Sequence, residues 1–127
     1  MMVGVYMKTD GKLILVLSPY TPYKVSDDKK RNEIINDRVK KVSEYVARLL
    51  KNGDYAFSLI GNFHHLVRDY SVPQEYAFWE RYSEKFLSLQ PDEAHVLMLP
   101  GWKESEGVQD EIFKCRKHGV PVKYKYY

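Results

Sequence analysis

The sequence predicts an α/β fold: a small doubly wound parallel sheet, flavodoxin-like or Rossmann-like, of about four to five strands with an N-terminal hairpin strand. Three observations predict it. Short apolar runs at residues 13–17, 55–60, 94–99 and 120–124 alternate with longer segments of helical periodicity. Strands that alternate with helices pair in parallel through right-handed crossovers. The run at 13–17 is continuously apolar, as a strand covered on both faces is. A length of 127 residues suits a single domain spanning the whole chain, long enough to bury a core without disulfide or metal staples.

The elements follow in order. Val3-Gly4-Val5-Tyr6-Met7 and the run at 13–17 flank Thr9-Asp10-Gly11-Lys12, and Asp-Gly between apolar runs signals a hairpin. Ser18-Pro19-Tyr20 ends the first strand, and Pro22 just beyond keeps the chain out of a ladder. Residues 27–51 read as a long helix in which Ile35, Val39, Val42, Val46 and Leu49 form one apolar stripe. Ser26, Asp27 and Asp28 offer a cap and an acidic first turn, and Gly53 offers a left-handed stop.

The second strand, at 55–60, runs into a polar and aromatic loop, Gly61-Asn62-Phe63-His64-His65. A helix at 74–90 then places Trp79, Tyr82, Phe86 and Leu89 on an inward face and ends at Pro91-Asp92. The third strand, at 94–99, meets Pro100-Gly101-Trp102. The last helix, at about 105–118, turns Val108, Ile112 and Cys115 inward and stops at Gly119. The closing strand contains Pro121, which suits an edge or an early strand position.

Composition excludes several classes. Hydrophobic and charged shares of 44% and 29% are near globular averages, so wholesale disorder is excluded. One Cys cannot make an internal disulfide or a CxxC site. No apolar run approaches a membrane span and no basic-then-apolar leader opens the chain, so a soluble, cytoplasmic protein without a membrane partner is expected. The net charge of +3 is too small to argue for nucleic acid. Only the tail stands out: Lys123-Tyr124-Lys125-Tyr126-Tyr127 mixes basic and aromatic residues, as single-strand binders do. An edge strand guarded by lysines accounts for it as well.

In doubly wound sheets, ligands bind in the crevice beyond the carboxyl ends of the strands. That rule gathers Ser18-Pro19-Tyr20 and the segments 61–65 and 100–111 around one site. No GxGxxG follows the first strand and no GxxxxGK[ST] occurs, so no dinucleotide or other cofactor is expected. His64-His65 lack a partner at metal-ligand spacing, so no metal is expected. Ser105-Glu106-Gly107-Val108 opens a helix whose free N–H groups attract an anion such as phosphate. By themselves, Ser105 is an ordinary N-cap and Glu111 a solvated residue pairing with Lys114. His64 lines the crevice or shapes its loop, and Cys115 is a small core residue.

At these residues the chain resembles a known family. The strand into Ser18-Pro19-Tyr20, then Phe57-Ser58-Leu59-Ile60 and His64, then Phe78-Trp79 and Gly101-Trp102, are similar to a small phage and bacterial branch of the nucleoside 2-deoxyribosyltransferase-like superfamily. The most telling stretch is Ser105-Glu106-Gly107-Val108-Gln109-Asp110-Glu111, with Gly119 eight residues on. The superfamily's deoxynucleoside-monophosphate N-glycosidases carry a Ser, a Gly-Val and a Glu at this spacing. There the Ser contacts the 5′-phosphate and the Glu attacks the anomeric carbon. The resemblance runs from about residue 13 to residue 122.

It implies a nucleotide N-glycosidase-like protein, hydrolysing or transferring the N-glycosidic bond of a (deoxy)nucleoside monophosphate. Glu111 would be the nucleophile, while Ser105, Gly107 and Val108 would hold the phosphate. Ser18, Pro19, Tyr20, Asn62, His64 and Trp102 would form the pocket, with Tyr20 and Trp102 stacking on the base. The second carboxylate usual on the preceding helix falls at Ser83, with Glu80 and Glu84 as substitutes. A homodimer in which a neighbouring subunit completes the pocket is also implied. The chemistry suits a carboxylate, which captures or stabilises an oxocarbenium-like centre, and the nearby helix dipole is expected to keep Glu111 ionised. Two rivals remain: a non-catalytic binder of nucleotides or nucleotide-derived signals in the same crevice, and a nucleic-acid-binding accessory protein working through the tail.

Overall fold

Neither face of the segment LILVL offers a polar side chain to water, and it forms an inner strand, β1 (Leu13–Leu17), with a core on each side. The computed structural model describes residues 11–127. After β1 come α1 (Asp28–Lys51), β2 (Tyr55–Phe57), α2 (Leu59–Asp69), α3 (Tyr76–Leu87), β3 (Glu93–Leu97), α4 (Glu106–Lys117) and β4 (Val122–Lys125). The four strands make one all-parallel sheet in the order β2-β1-β3-β4, a small Rossmann-like, flavodoxin-like α/β fold. Leu15 pairs with Phe57 on one side and Ala94 on the other, and Val96 pairs with Tyr124. The expected hairpin strand at 3–7 lies outside the described residues.

Side chains alternate across a strand, and here they feed two cores. Leu15, Leu17, Ala94 and Val96 pack with Leu87, Val108, Ile112 and Cys115 from α3 and α4. Ile14, Val16 and Leu97 pack with Val42 and Tyr45 from α1. Each fully buried aliphatic chain contributes about 1.5–3 kcal/mol. Asp27 caps α1 by accepting from Lys29 N and Lys30 N, while Gly53 (φ +92°) and Gly119 (φ +73°) take the left-handed stops their positions suggested. The buried line of α1 is Arg38, Val42 and Tyr45, with Ile35 and Val39 only half-buried.

Besides β4, which begins at Val122 rather than at residue 120, three boundaries differ from expectation. The apolar run at 55–60 is two elements, because β2 stops at Phe57 and Ser58 caps α2, which replaces the expected loop at 61–65. Ser58 Oγ accepts from Gly61 N at 3.0 Å, while Asn62 Oδ1 reaches back to Ser58 N at 3.4 Å. Leu59, Ile60, Phe63, Leu66 and Val67 recur at helical spacing, which the turn-forming Gly and Asn obscure. Ser58→Ala should cost about 1 kcal/mol, read as a lower urea midpoint with an unchanged slope. The second departure is α3, which spans Tyr76–Leu87; Ser83 and Leu87 are its buried residues, and Leu89, expected inside, is 67% exposed beyond its end. The third is β3, which stops at Leu97, two residues early, where a Leu99 N to Leu97 O turn closes it.

At the amino end of the sheet lies a buried polar chain. The Tyr45 hydroxyl meets His95 Nδ1 at 2.7 Å, and His95 Nε2 meets Glu93 Oε1 at 2.7 Å. Glu93 Oε2 pairs with Lys123 at 2.8 Å and Lys12 at 3.3 Å. Burial works against the Glu93 carboxylate, but hydrogen bonds from Lys123, His95 and Lys12 outweigh it and hold its pKa at about 2. The tail is also engaged on the protein itself. The Tyr127 ring lies near Lys41 and Arg48 with its hydroxyl on Glu44, and Tyr124 lies against Trp102. Among the described residues no helix is long and apolar enough to cross a membrane.

Candidate functional site

The connection after β1 leads to β2 on one side, and the chain then crosses to β3 on the other, so the switch point lies between β1 and β3. Ligand crevices form at such points, and one of about 620 Å³ opens here. The carboxyl end of β1 contributes Ser18 and Tyr20, α2 contributes Phe63 and His64, and α3 contributes Trp79, Glu80 and Ser83. The cap and first turns of α4 contribute Ser105, Gly107, Val108 and Glu111. Segments far apart in sequence and expected around one site thus share one crevice.

Four expected site residues sit elsewhere. Pro19 is fully buried beneath the loop, and Asn62 is turned back onto the Ser58 backbone. Trp102 packs against the core and Tyr124 rather than lining the crevice. Glu84 accepts from His118 at 2.8 Å, and that ring holds it below the usual carboxylate range.

Ser105 caps α4, its Oγ accepting from Val108 N at 3.2 Å. Gln109 N bonds Ser105 O, so the amides of Glu106 and Gly107 are the helix donors without a partner in the turn. Glu111 is the sixth residue of α4, beyond the first turn where the dipole acts. Its environment does the reverse of what was expected: burial pushes its pKa up to about 7, against smaller opposing effects of Ser83 and Lys114. Ser83 Oγ stands 3.4 Å from Glu111 Oε2, at the place where the resemblance implies a second carboxylate. The expected Glu111–Lys114 pair does not form. Lys114 instead lies between Asp110 at 2.9 Å and Glu80 at 3.3 Å. Tyr76, an unforeseen lining residue, donates to Asp110 at 2.7 Å and ties α3 to α4. Only the i,i+4 spacing of Asp110 and Lys114 signalled this cluster in the sequence; the α3 partners required the fold.

Two polar atoms on the opposite wall have no hydrogen-bond partner among the described residues, Ser18 Oγ and His64 Nε2. The Tyr20 hydroxyl meets His64 Nδ1 at 2.7 Å, leaving Nε2 for a ligand. Burial lowers the His64 pKa, so the ring is neutral near pH 7. The loops that follow β1 and β3 are tied by one side chain. Arg38, 8% exposed, donates to Tyr20 O at 3.2 Å and Pro100 O at 2.8 Å. Gly101 beside it has φ +90°, and a Cβ there would meet Arg38 Nη2 at 2.6 Å. Among the described residues no three His, Cys, Asp or Glu side chains converge as a metal site requires. Cys115 is buried, its thiol pushed up to about 12 by burial, which suits packing rather than reactivity.

A family model described as a domain of unknown function, DUF1937, matches residues 12–126. No curated protein matches the chain.

Proposed function

We propose that this chain, which belongs to the DUF1937 family, is an N-glycosidase-like protein acting on a (deoxy)nucleoside monophosphate or its nucleoside in the crevice between β1 and β3. One observation carries the reading: Glu111, which the resemblance to deoxynucleoside-monophosphate N-glycosidases marks as nucleophile, lines this crevice beside the capped start of α4. Bond cleavage leaves positive charge at the anomeric carbon, and a carboxylate beside it captures or stabilises that centre. The amides of Glu106 and Gly107 are the donors a 5′-phosphate would meet. Ser18 Oγ and His64 Nε2 offer hydrogen bonds to sugar or base from the other wall. The reading covers nucleosides as well as their monophosphates.

The test is incubation with a panel of nucleosides and nucleoside monophosphates, with free base followed by chromatography. Wild type should release base from at least one of them, and Glu111→Ala should abolish that release. Equal release by the variant overturns the catalytic assignment. A second reading, a non-catalytic binder, is favoured by Ser83 standing where the resembling enzymes carry a carboxylate. Thermal stabilisation by a nucleotide that is never cleaved would select it.

A further inference from the structure

The crevice has a charge balance opposite to that of the chain. The chain carries a formal +3, yet among the described residues five carboxyl groups line the crevice, those of Glu80, Glu104, Glu106, Asp110 and Glu111. Only two ammonium groups accompany them, Lys24 and Lys114. Lys114 is already engaged by Asp110 and Glu80, and Lys24 lies 5.2 Å over the Tyr23 ring. Glu104 and Glu106 flank Ser105, so negative charge already stands at the helix start that a phosphate would approach. Those carboxylates repel a phosphate and oppose the attraction of the helix end.

The remaining wall is aromatic: Tyr20, Tyr23, Phe63, Tyr76 and Trp79 line it. Carboxylates interspersed with ring faces are the surroundings that hold organic cations, because the face of an aromatic ring attracts positive charge. Ser18 adds an independent sign of a ligand. It is 4% exposed and lines the crevice, and its buried Oγ has no partner among the described residues.

We propose that the crevice prefers an N-glycoside whose base is a planar cation, a pyridinium or an N-alkylated purine, over one with a neutral base and over one that carries a 5′-phosphate. The inference rests on the N-glycosidase reading for the sugar and on the charge of the crevice for the base. It also accounts for Ser83. A cationic base leaves without being protonated: the C1′–N bond breaks and its electron pair passes to the ring nitrogen, cancelling the positive charge. The Glu111 carboxylate bonds to C1′, and water then replaces it, giving the free sugar, the neutral base and one proton. No general acid is needed at Ser83.

The experiment pairs equilibrium binding with base release. Calorimetric titration near neutral pH and low salt compares 1-methyladenosine with adenosine, and nicotinamide riboside with its 5′-phosphate, while chromatography follows free base in the same mixtures. Each cationic nucleoside should bind about tenfold or more tightly than its counterpart. That preference should shrink in the double variant Glu104→Gln, Glu106→Gln, whose exposed side chains leave the fold intact. Equal affinity within each pair, or no binding of either cation, overturns the inference. Cation binding without base release keeps it and overturns the N-glycosidase reading. Release of base from adenosine or the 5′-phosphate, with no preference for the cations, does the reverse.

Discussion

Glu111→Gln should melt well above the wild type near pH 8 and together with it near pH 4. The side chain lines the crevice with Ser83 as its hydrogen-bond donor, and burial raises its pKa to about 7 from an ordinary 4.5. Below about pH 4.5 the folded and unfolded chains both hold the proton, and the group costs nothing. Between about 4.5 and 7 the unfolded chain gives up its proton while the folded chain keeps it, so stability falls as pH rises. Above about pH 7 the loss is complete, up to about 3 kcal/mol for such a shift. Gln is neutral throughout and still accepts from Ser83, so it escapes that loss and gains roughly 10 °C in melting temperature near pH 8. Thermal unfolding followed by circular dichroism across this range decides the matter. Parallel wild-type and variant curves would mean that Glu111 does not titrate in this window. A nucleophile must be ionised, so base release should climb roughly tenfold per pH unit up to about 7 and then level off.

Glu93 has the opposite sign. Its pKa of about 2 lies below the ordinary 4.5 because Lys123, His95 and Lys12 hydrogen-bond its carboxylate despite burial. Its stabilisation is fully present above about pH 4.5 and is lost as pH falls through about 2, again about 3 kcal/mol. Glu93→Gln should therefore destabilise the protein by about 3 kcal/mol at neutral pH, since removing one partner leaves the remaining groups uncompensated. Lys12 and Lys123 are half-exposed and recover hydration, which keeps the cost at the low end. Urea unfolding should show the wild type's advantage over the variant shrinking by about half between pH 7 and pH 3, a difference in which the titration of Glu111, common to both proteins, cancels. An advantage that stays constant across that range would mean that Glu93 does not titrate in it. Tyr45→Phe, which removes only the outer hydroxyl from His95, should cost about 1 kcal/mol.

The contrast between these carboxylates explains what was legible in the sequence. β1, α1 and α4 could be read because periodicity and caps are local signals, and Asp27, Gly53, Ser105 and Gly119 do what their types suggest. The crevice could be placed because ligand position in a doubly wound sheet follows from topology. α2 could not be read, because Gly61-Asn62 carries turn signals while Ser58 caps a helix immediately after a strand. Side-chain orientation was also out of reach. Trp102 and Glu84 stand near the crevice in sequence yet face Tyr124 and His118, and those partners arrive from β4 and the end of α4. The ionisation of Glu111 is not legible in the sequence for a related reason: helix position is local, whereas burial depends on what packs above the helix.

Arg38 also sets an order of assembly. Its two carbonyl partners lie 18 and 62 residues away along the chain, so the guanidinium is half-partnered until β3 has paired with β1 and brought Pro100 into reach. Contacts that bridge long sequence separations form only after the intervening loop entropy has been overcome. The loops that follow β1 and β3 are therefore tied together only after the sheet that supports them has formed.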